Sequence, residues 1–239
     1  MAGEGETRPV IKARRSGPGR RKLEADQDAA GLVAQTRADI IAAATREFVR
    51  NGFEGASINE IAAATQTSKR MLYYHYGSKR GLYRAVLEAA YERVGRREPP
   101  AAADLSAMQA LRQYAEEAFD NFRQNEDFVR LVMAENLNNG EVIRESDFVR
   151  QRSAANLASL EAIWKRGRAE GAMRDDIRIL DLYLAIVAVC FHAVSNRIST
   201  GLSLGVDLSS AEEVAFRRRM VGDIACRYVM RCEGPGAQS

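Results

Sequence analysis

Proline is scarce in this chain. The 239 residues hold five, at positions 9, 18, 99, 100 and 235, so 19 to 98 and 101 to 234 run without one. Proline breaks helix interiors and punctuates all-β chains. Its absence from two long blocks rich in Ala, Leu, Arg and Glu predicts an all-α fold and argues against all-β or α/β architecture. Cysteine is sparse as well: Cys190, Cys226 and Cys232 are an odd number without a C-x-x-C pair. That fits buried thiols in a reducing compartment, and neither a disulfide framework nor a zinc site. The only histidines, His75 and His192, lie far apart, and there is no H-E-x-x-H, no G-x-S-x-G and no phosphate loop. Gly17-Pro18-Gly19 lacks the third glycine and the preceding strand of a dinucleotide site. An enzyme is therefore the weaker class, and neither metal nor cofactor is expected. Long apolar runs are missing too. The longest uncharged stretch, Leu182 to Asn196, has 15 residues, short of the roughly 20 that a membrane span requires. It reads as a buried helix. The first 30 residues carry no apolar segment of a secretory signal, so a cytoplasmic protein without membrane association is expected.

What is present is divided. The net charge of +3 splits into +7 over residues 1 to 97 and −4 over the rest. A basic block joined to a mildly acidic one suggests an anionic partner for the first alone, with nucleic acid leading. Glu98-Pro-Pro-Ala-Ala-Ala-Asp104 coincides with that reversal and marks the domain boundary. Residues 1 to 35 read as a disordered basic arm: Thr7 to Leu23 holds seven bases and no acid. Its Gly17 to Lys22 stretch, with Arg20, Arg21 and Lys22, is either a solubilising tail or an extended strand slim enough for an A·T-rich minor groove.

Between 36 and 97 the pattern is that of short helices. Thr36 caps a helix with Ile40, Ala44 and Phe48 inward, stopped by Asn51-Gly52. Ser57-Ile-Asn-Glu60 forms a capping box for a second, with Ile58, Ile61 and Ala62 inward. A turn near Thr65 to Thr67 leads to Ser68, cap of a third helix from Lys69 to Tyr76. Gly77-Ser78 stops it and starts a fourth, striped by Leu82, Val86, Ala90 and Val94. Two short helices across a three-to-four-residue turn make a helix-turn-helix, whose second helix enters the major groove. That end reads Gln66-Thr67-Ser68-Lys69-Arg70, a dense set of donors for bases and phosphates. Tyr73, Tyr74 and His75 add aromatic donors on an exposed helix, Leu72 and Tyr76 read as core, and Lys79 sits where a helix N-terminus can hold a phosphate. Ser57 completes the candidate DNA contacts.

Beyond 104, helices are predicted near 105–124, 126–138, 142–170, 177–200 and 210–232, in a domain spanning 104 to 233, with Gly140, Gly171, Gly201 and Gly205 between them. Arg217-Arg218-Arg219 reads as a solvated face, with pairing to a second subunit as the lesser alternative. Phe119, Phe122, Met133, Asn136, Trp164, His192 and Asn196 are bulky or polar residues on helices expected to face each other, hence a candidate pocket. Each of them taken singly reads first as core.

Thr36 to about Val94 resembles the DNA-binding domain of the TetR family of bacterial transcriptional regulators. The run Thr67-Ser-Lys-Arg-Met-Leu-Tyr-Tyr-His-Tyr-Gly-Ser-Lys79 matches that family's signature almost residue for residue. Gln66-Thr67 stands where the family usually has Gly-Val, and Met71 where a small residue is common, so base preference does not transfer. The resemblance implies DNA contacts at Ser68, Lys69, Arg70, Tyr73, Tyr74, His75 and Lys79. It also implies a larger all-helical domain that dimerises through its last two helices and encloses a small-molecule effector pocket. Expected partners are thus a palindromic duplex operator, a second copy and an unknown effector that releases the DNA. A dimeric regulator without an effector is the alternative reading.

Overall fold

A computed structural model describes residues 18–95 and 105–231, with the side chains of 18–30 and 32 excepted. Ten α-helices account for it: α1 Pro18–Gly55, α2 Ile58–Ala64, α3 Lys69–Tyr76, α4 Lys79–Gly95, α5 Ala107–Gln124, α6 Glu126–Leu137, α7 Asp147–Ala169, α8 Ile179–Ser195, α9 Arg197–Leu204 and α10 Ala211–Val229. A single 3-10 turn, Ile143–Glu145, precedes α7. Among the described residues the only β pairing is an isolated antiparallel bridge between Met173 and Met230. The all-α expectation holds.

The first difference lies at the start. Helical backbone begins at Pro18, not Thr36, so Arg20, Arg21 and Lys22 stand on a helix and not on an extended strand. Pro18 suits the first turn of a helix, and the Lys, Leu, Glu, Ala and Gln residues that follow are strong helix formers. Further along the helix, residues 33 to 39 all face solvent. Residues 1 to 17, and with them most of the seven-base run, fall outside the described residues, as do the 98–104 boundary segment and Cys232.

Ile40, Ala44 and Phe48 are buried as their four-residue spacing requires. The helix breaks at Gly52, where φ is +68°, a conformation costly for any residue with a Cβ. Phe48, Phe53 and Tyr83 form an aromatic knot beneath α4, with ring centroids 4.8 Å and 5.2 Å from Tyr83. Leu82, Val86, Ala90 and Val94 close the small core from the α4 side.

In the second domain α5 is the axis. Leu111, Tyr114, Ala115, Ala118, Phe119 and Phe122 are all buried along it. Gly222 lets α10 approach α5, since a Cβ there would meet Arg112 and Glu116 side chains at 3.1 Å. The arginine triplet serves this contact. Arg218 pairs with Glu116 and, at 2.8 Å, with Asp120 on α5, while Arg217 pairs with Glu213 one turn back. Of the three, only Arg219 is the solvated residue expected. The expected helix 177–200 is in fact two, α8 and α9, bent by 71° at Asn196, whose N–H donates to the His192 carbonyl. Among the described residues no single helix is long and apolar enough to cross a membrane. Cys190 and Cys226 are buried free thiols, and burial pushes the Cys226 thiol up from its usual pKa.

Candidate nucleic-acid interface

The turn between α2 and α3 is tightly specified. Thr65 Oγ1 donates to the Ile61 carbonyl at 2.9 Å, and Thr67 N–H donates to the Ala62 carbonyl at 3.1 Å. Gln66 takes a left-handed conformation, φ +51°, which a long side chain tolerates poorly, and the side chain stands exposed beside the turn. Ser68 then caps α3, its Oγ accepting from Met71 N–H at 3.2 Å. At the far end Gly77, φ +76°, donates to the Tyr73 carbonyl, and Ser78 Oγ accepts from Gly81 N–H at 3.0 Å to start α4.

Gly81 is the hinge point of this corner. A Cβ on it would lie 2.0 Å from the Tyr76 carbonyl oxygen, so only glycine lets α4 begin this close to the end of α3. Nothing in the local pattern announces it, because an isolated glycine inside a helical stripe is read merely as tolerated.

With both ends fixed, α3 buries Leu72 alone. Tyr76 is half-buried, and burial raises its phenol pKa. Lys69, Arg70, Met71, Tyr73, Tyr74 and His75 face outward, Tyr74 with 79% of its surface exposed. Lys69 Nζ lies 5.8 Å from the Tyr73 ring centroid, and the Tyr74 and His75 rings meet edge to face at 5.3 Å. Neither Lys69 nor Arg70 forms an ion pair among the described residues, so both positive charges are presented outward. An exposed helix with two uncompensated cations, two phenols and an imidazole is suited to a polyanion.

Two candidates sit differently from expectation. Lys79 Nζ donates to the Glu54 carbonyl at 3.0 Å and lies over the Phe53 ring at 5.2 Å, so in this structure it ties α4 to the end of α1. Ser57 caps α2 as expected, its Oγ accepting from Glu60 N–H at 3.3 Å. The capping box is not reciprocal, however. Ser57 N–H donates to Glu47 Oε1 at 2.8 Å, and Asn51 Nδ2 donates to the same oxygen at 2.9 Å. Glu47 was invisible in the pattern because its partner lies ten residues on, beyond the end of α1. The Ser57 N–H, then Asn51, hold its carboxyl below the usual pKa near 4.5.

The seven pocket candidates are not brought together. Phe119 and Phe122 are core, Phe122 meeting the Phe128 and Phe191 rings edge to face. Trp164 donates its Nε1–H to the Arg174 carbonyl at 3.2 Å under the Arg168 guanidinium. Asn136 is exposed, and Asn196 forms the α8–α9 corner. Met133 lines a groove between α1, α6 and the α8–α9 corner, whereas His192 is exposed and lines a separate one with Arg217 and Met220. The apolar surround of His192 in sequence is an unpartnered face: Leu180, Leu184, Ala188 and His192 recur every fourth residue and all are exposed.

The two domains meet along α4. Arg80 Nη2 donates to Glu145 at 2.8 Å and to the Glu141 carbonyl at 3.1 Å; Ser146 Oγ donates to Glu88 at 2.7 Å; Asn121 Nδ2 donates to the Val94 carbonyl at 2.7 Å. Behind them Glu135, 1% exposed, accepts from the N–H groups of Val142 and Ile143, both at 3.1 Å. Burial first, then the Glu135 charge, pushes the nearby Tyr83 phenol well above its ordinary pKa.

Known proteins share this arrangement. Residues 40–86 match the model of bacterial regulatory proteins, tetR family, and residues 108–225 match a Tetracyclin repressor-like C-terminal domain. The chain is 34% identical over 198 residues to the HTH-type transcriptional repressor NicS of Pseudomonas putida, spanning 82% of this chain and 93% of that one. The chain belongs to the TetR family. A second relative, the HTH-type transcriptional repressor SCO4008 of Streptomyces coelicolor, is 28% identical over 66% of this chain and 78% of its own. Among solved structures, the transcriptional regulator FadR of Bacillus subtilis, in complex with stearoyl-CoA, superposes with a TM-score of 0.63. At 15% identity over 80% of this chain and 97% of that one, it supports the fold alone. As a TetR-family member this protein is a DNA-binding transcriptional regulator, with α2 and α3 as its helix-turn-helix.

Proposed function

We propose that the protein is a homodimeric transcriptional repressor that reads a two-fold symmetric operator through α3 and is released from it by a small-molecule effector. The observation that carries this reading is α3 itself: one buried residue, capped ends, and Lys69, Arg70, Tyr73, Tyr74 and His75 directed outward. Gln66, Thr67 and Ser68 lie at the end of the helix that enters the groove in helix-turn-helix readers. Ser57 and Lys79 flank it as phosphate contacts, Lys79 by exchanging the Glu54 carbonyl for a phosphate oxygen. Arg20, Arg21 and Lys22, on the first turns of α1, add positive charge at the approach to the duplex.

Dimerisation is supported by the exposed apolar stripes of the last long helices, Leu180 and Leu184 on α8 with Phe216 and Ile224 on α10. A large unpartnered apolar face on a water-exposed protein marks an interface, and two such helices from each copy build a four-helix bundle. Repression is favoured over activation by the similarity to NicS and SCO4008, both transcriptional repressors. A dimeric regulator without an effector is the second reading, favoured by the solid packing of Phe119 and Phe122 where a pocket was expected.

Selection from a randomised duplex pool at near-physiological salt tests the reading. Recovery of a two-fold symmetric motif is expected; recovery of unspecific, salt-sensitive DNA alone refutes it. Thermal shift against a metabolite panel with the selected operator then separates the two effector readings, because a ligand that binds the folded state raises its melting point.

A further inference from the structure

A groove of about 350 Å3 runs along the seam where α1, α6 and the α8–α9 corner meet. Its walls are aliphatic, with Val49 from α1, Val129, Met133 and Leu137 from one face of α6, and Val194 and Ile198 from the two arms of the corner. No aromatic ring lines it, so it offers nothing on which a flat ring would stack. Two guanidinium groups border it. Arg197 is held by both oxygens of Glu126, at 2.7 Å and 3.3 Å, and that pair is neutral. Arg130 is exposed and forms no hydrogen bond or ion pair among the described residues, leaving the groove one uncompensated positive charge. Apolar walls with a single placed charge are the composition of a site for an amphiphilic small molecule.

We propose that this groove binds an aliphatic monocarboxylate, its chain along Val49, Met133 and Ile198 and its carboxylate on the Arg130 guanidinium. The inference rests on the reading that a small molecule controls DNA binding, and names the site and the ligand class. The walls belong to both domains, so an occupant bears directly on where α1, and with it the helix-turn-helix, stands relative to α6. That is the differential contact a population shift requires. The site lies outside the core that holds Phe119 and Phe122.

Octanoate is the probe, with octanol as its uncharged match, each titrated calorimetrically into the full-length protein. Octanoate is expected to bind more tightly than octanol, and Arg130→Gln to weaken octanoate about tenfold or more while leaving octanol unchanged. Met133→Trp, which fills the groove, is expected to weaken both. Arg130 is exposed and Met133 partly so, and matching melting curves show that the variants fold. Octanoate binding that is absent, or equal in wild type and Arg130→Gln, overturns the proposal. So does dissociation of the dimer by Leu137→Glu, which would mean that a second copy covers the groove. The selected operator separates the two levels. If octanoate binds through Arg130 and leaves operator affinity unchanged, the site stands and the release reading falls. If a different compound releases the operator from wild type and Arg130→Gln alike while octanoate does not bind, release stands and this site falls.

Discussion

Glu135 provides the sharpest test of how the domains are joined. It is a buried carboxylate near the end of α6 whose Oε2 accepts two backbone N–H groups, Val142 and Ile143, from the turn that leads into α7. Replacing it with alanine strands both donors, and Val142 is itself buried. Each stranded group costs about 1–3 kcal/mol. Relief of the desolvation that a buried carboxylate suffers returns part of this, leaving a loss of about 3 kcal/mol. For a chain of this size about 2–4 °C of melting temperature accompanies each kcal/mol, so Glu135→Ala is expected to melt about 6–12 °C below wild type. Glu135→Gln keeps an acceptor oxygen at nearly the same place but lacks the charge, and is expected to fall about half as far. Thermal melts followed by circular dichroism, with the same variants in urea, read the effect. Melting of both variants within about 1 °C of wild type refutes the assignment of Glu135 as the clasp of this turn.

Three further outcomes follow from the helix-turn-helix geometry. Tyr74→Ala removes a ring that is 79% exposed and is expected to leave stability within about 0.5 kcal/mol, yet to weaken operator binding clearly in a fluorescence-anisotropy titration; unchanged affinity would remove Tyr74 from the interface. Gly81→Ala places a Cβ against the Tyr76 carbonyl and is expected to cost about 1–3 kcal/mol by forcing α3 and α4 apart, with loss of operator binding; a variant that melts and binds like wild type contradicts the close approach. Glu47 has a folded-state pKa depressed by Ser57 and Asn51, so its contribution is present above the ordinary value near 4.5 and is lost as pH falls through the lower folded value. Glu47→Gln is therefore expected to flatten the acid side of a stability-against-pH profile while changing little of its slope above pH 6, and an unchanged acid limb would contradict it.

Much of the first domain was legible because it is built from local rules. Stripes at four-residue spacing, Ser57 and Ser68 as caps, and Gly52 and Gly77 as stops each act within one turn of helix, and each stands where the pattern put it. What was missed acts at a distance. Glu47 reaches across ten residues to Ser57, Arg218 across nearly a hundred to Glu116 and Asp120, and Glu135 is buried only because the chain after Gly140 folds back over it. His192 shows a different limit. A helix that is apolar on every side has too few polar positions to distinguish a face that meets its own core from a face left for a partner. The helical start at Pro18 escaped for the opposite reason, since the polar stretch that follows it has no apolar stripe to announce a helix.

If an effector releases the DNA as proposed, the contacts along α4 are the route by which a change in the second domain would reach the first. The helix is held near its beginning by Arg80 to Glu141 and Glu145, in its middle by Glu88 to Ser146, and at its end by the Val94 carbonyl to Asn121. All but the last of these grips come from the turn between α6 and α7 that Glu135 organises. A change that moves α6 against α7 must therefore carry α4 with it as a rod. Seventeen residues make a rod of about 25 Å, so a tilt of about 5° shifts one end by about 2 Å. At its first turn the rod abuts α3 through Gly81 and the Tyr76 carbonyl, with no slack for a methyl group to occupy, so a shift of that end would bear directly on the recognition helix. Successive major grooves on one face of a duplex lie about 34–36 Å apart, and the proposed two-fold dimer would apply the shift twice, giving a mismatch of up to about 4 Å. Lys79 adds a second consequence. Off DNA its ammonium is held by the Glu54 carbonyl over the Phe53 ring, which ties the end of α1 to the start of α4, and α1 also carries Val49 into the groove.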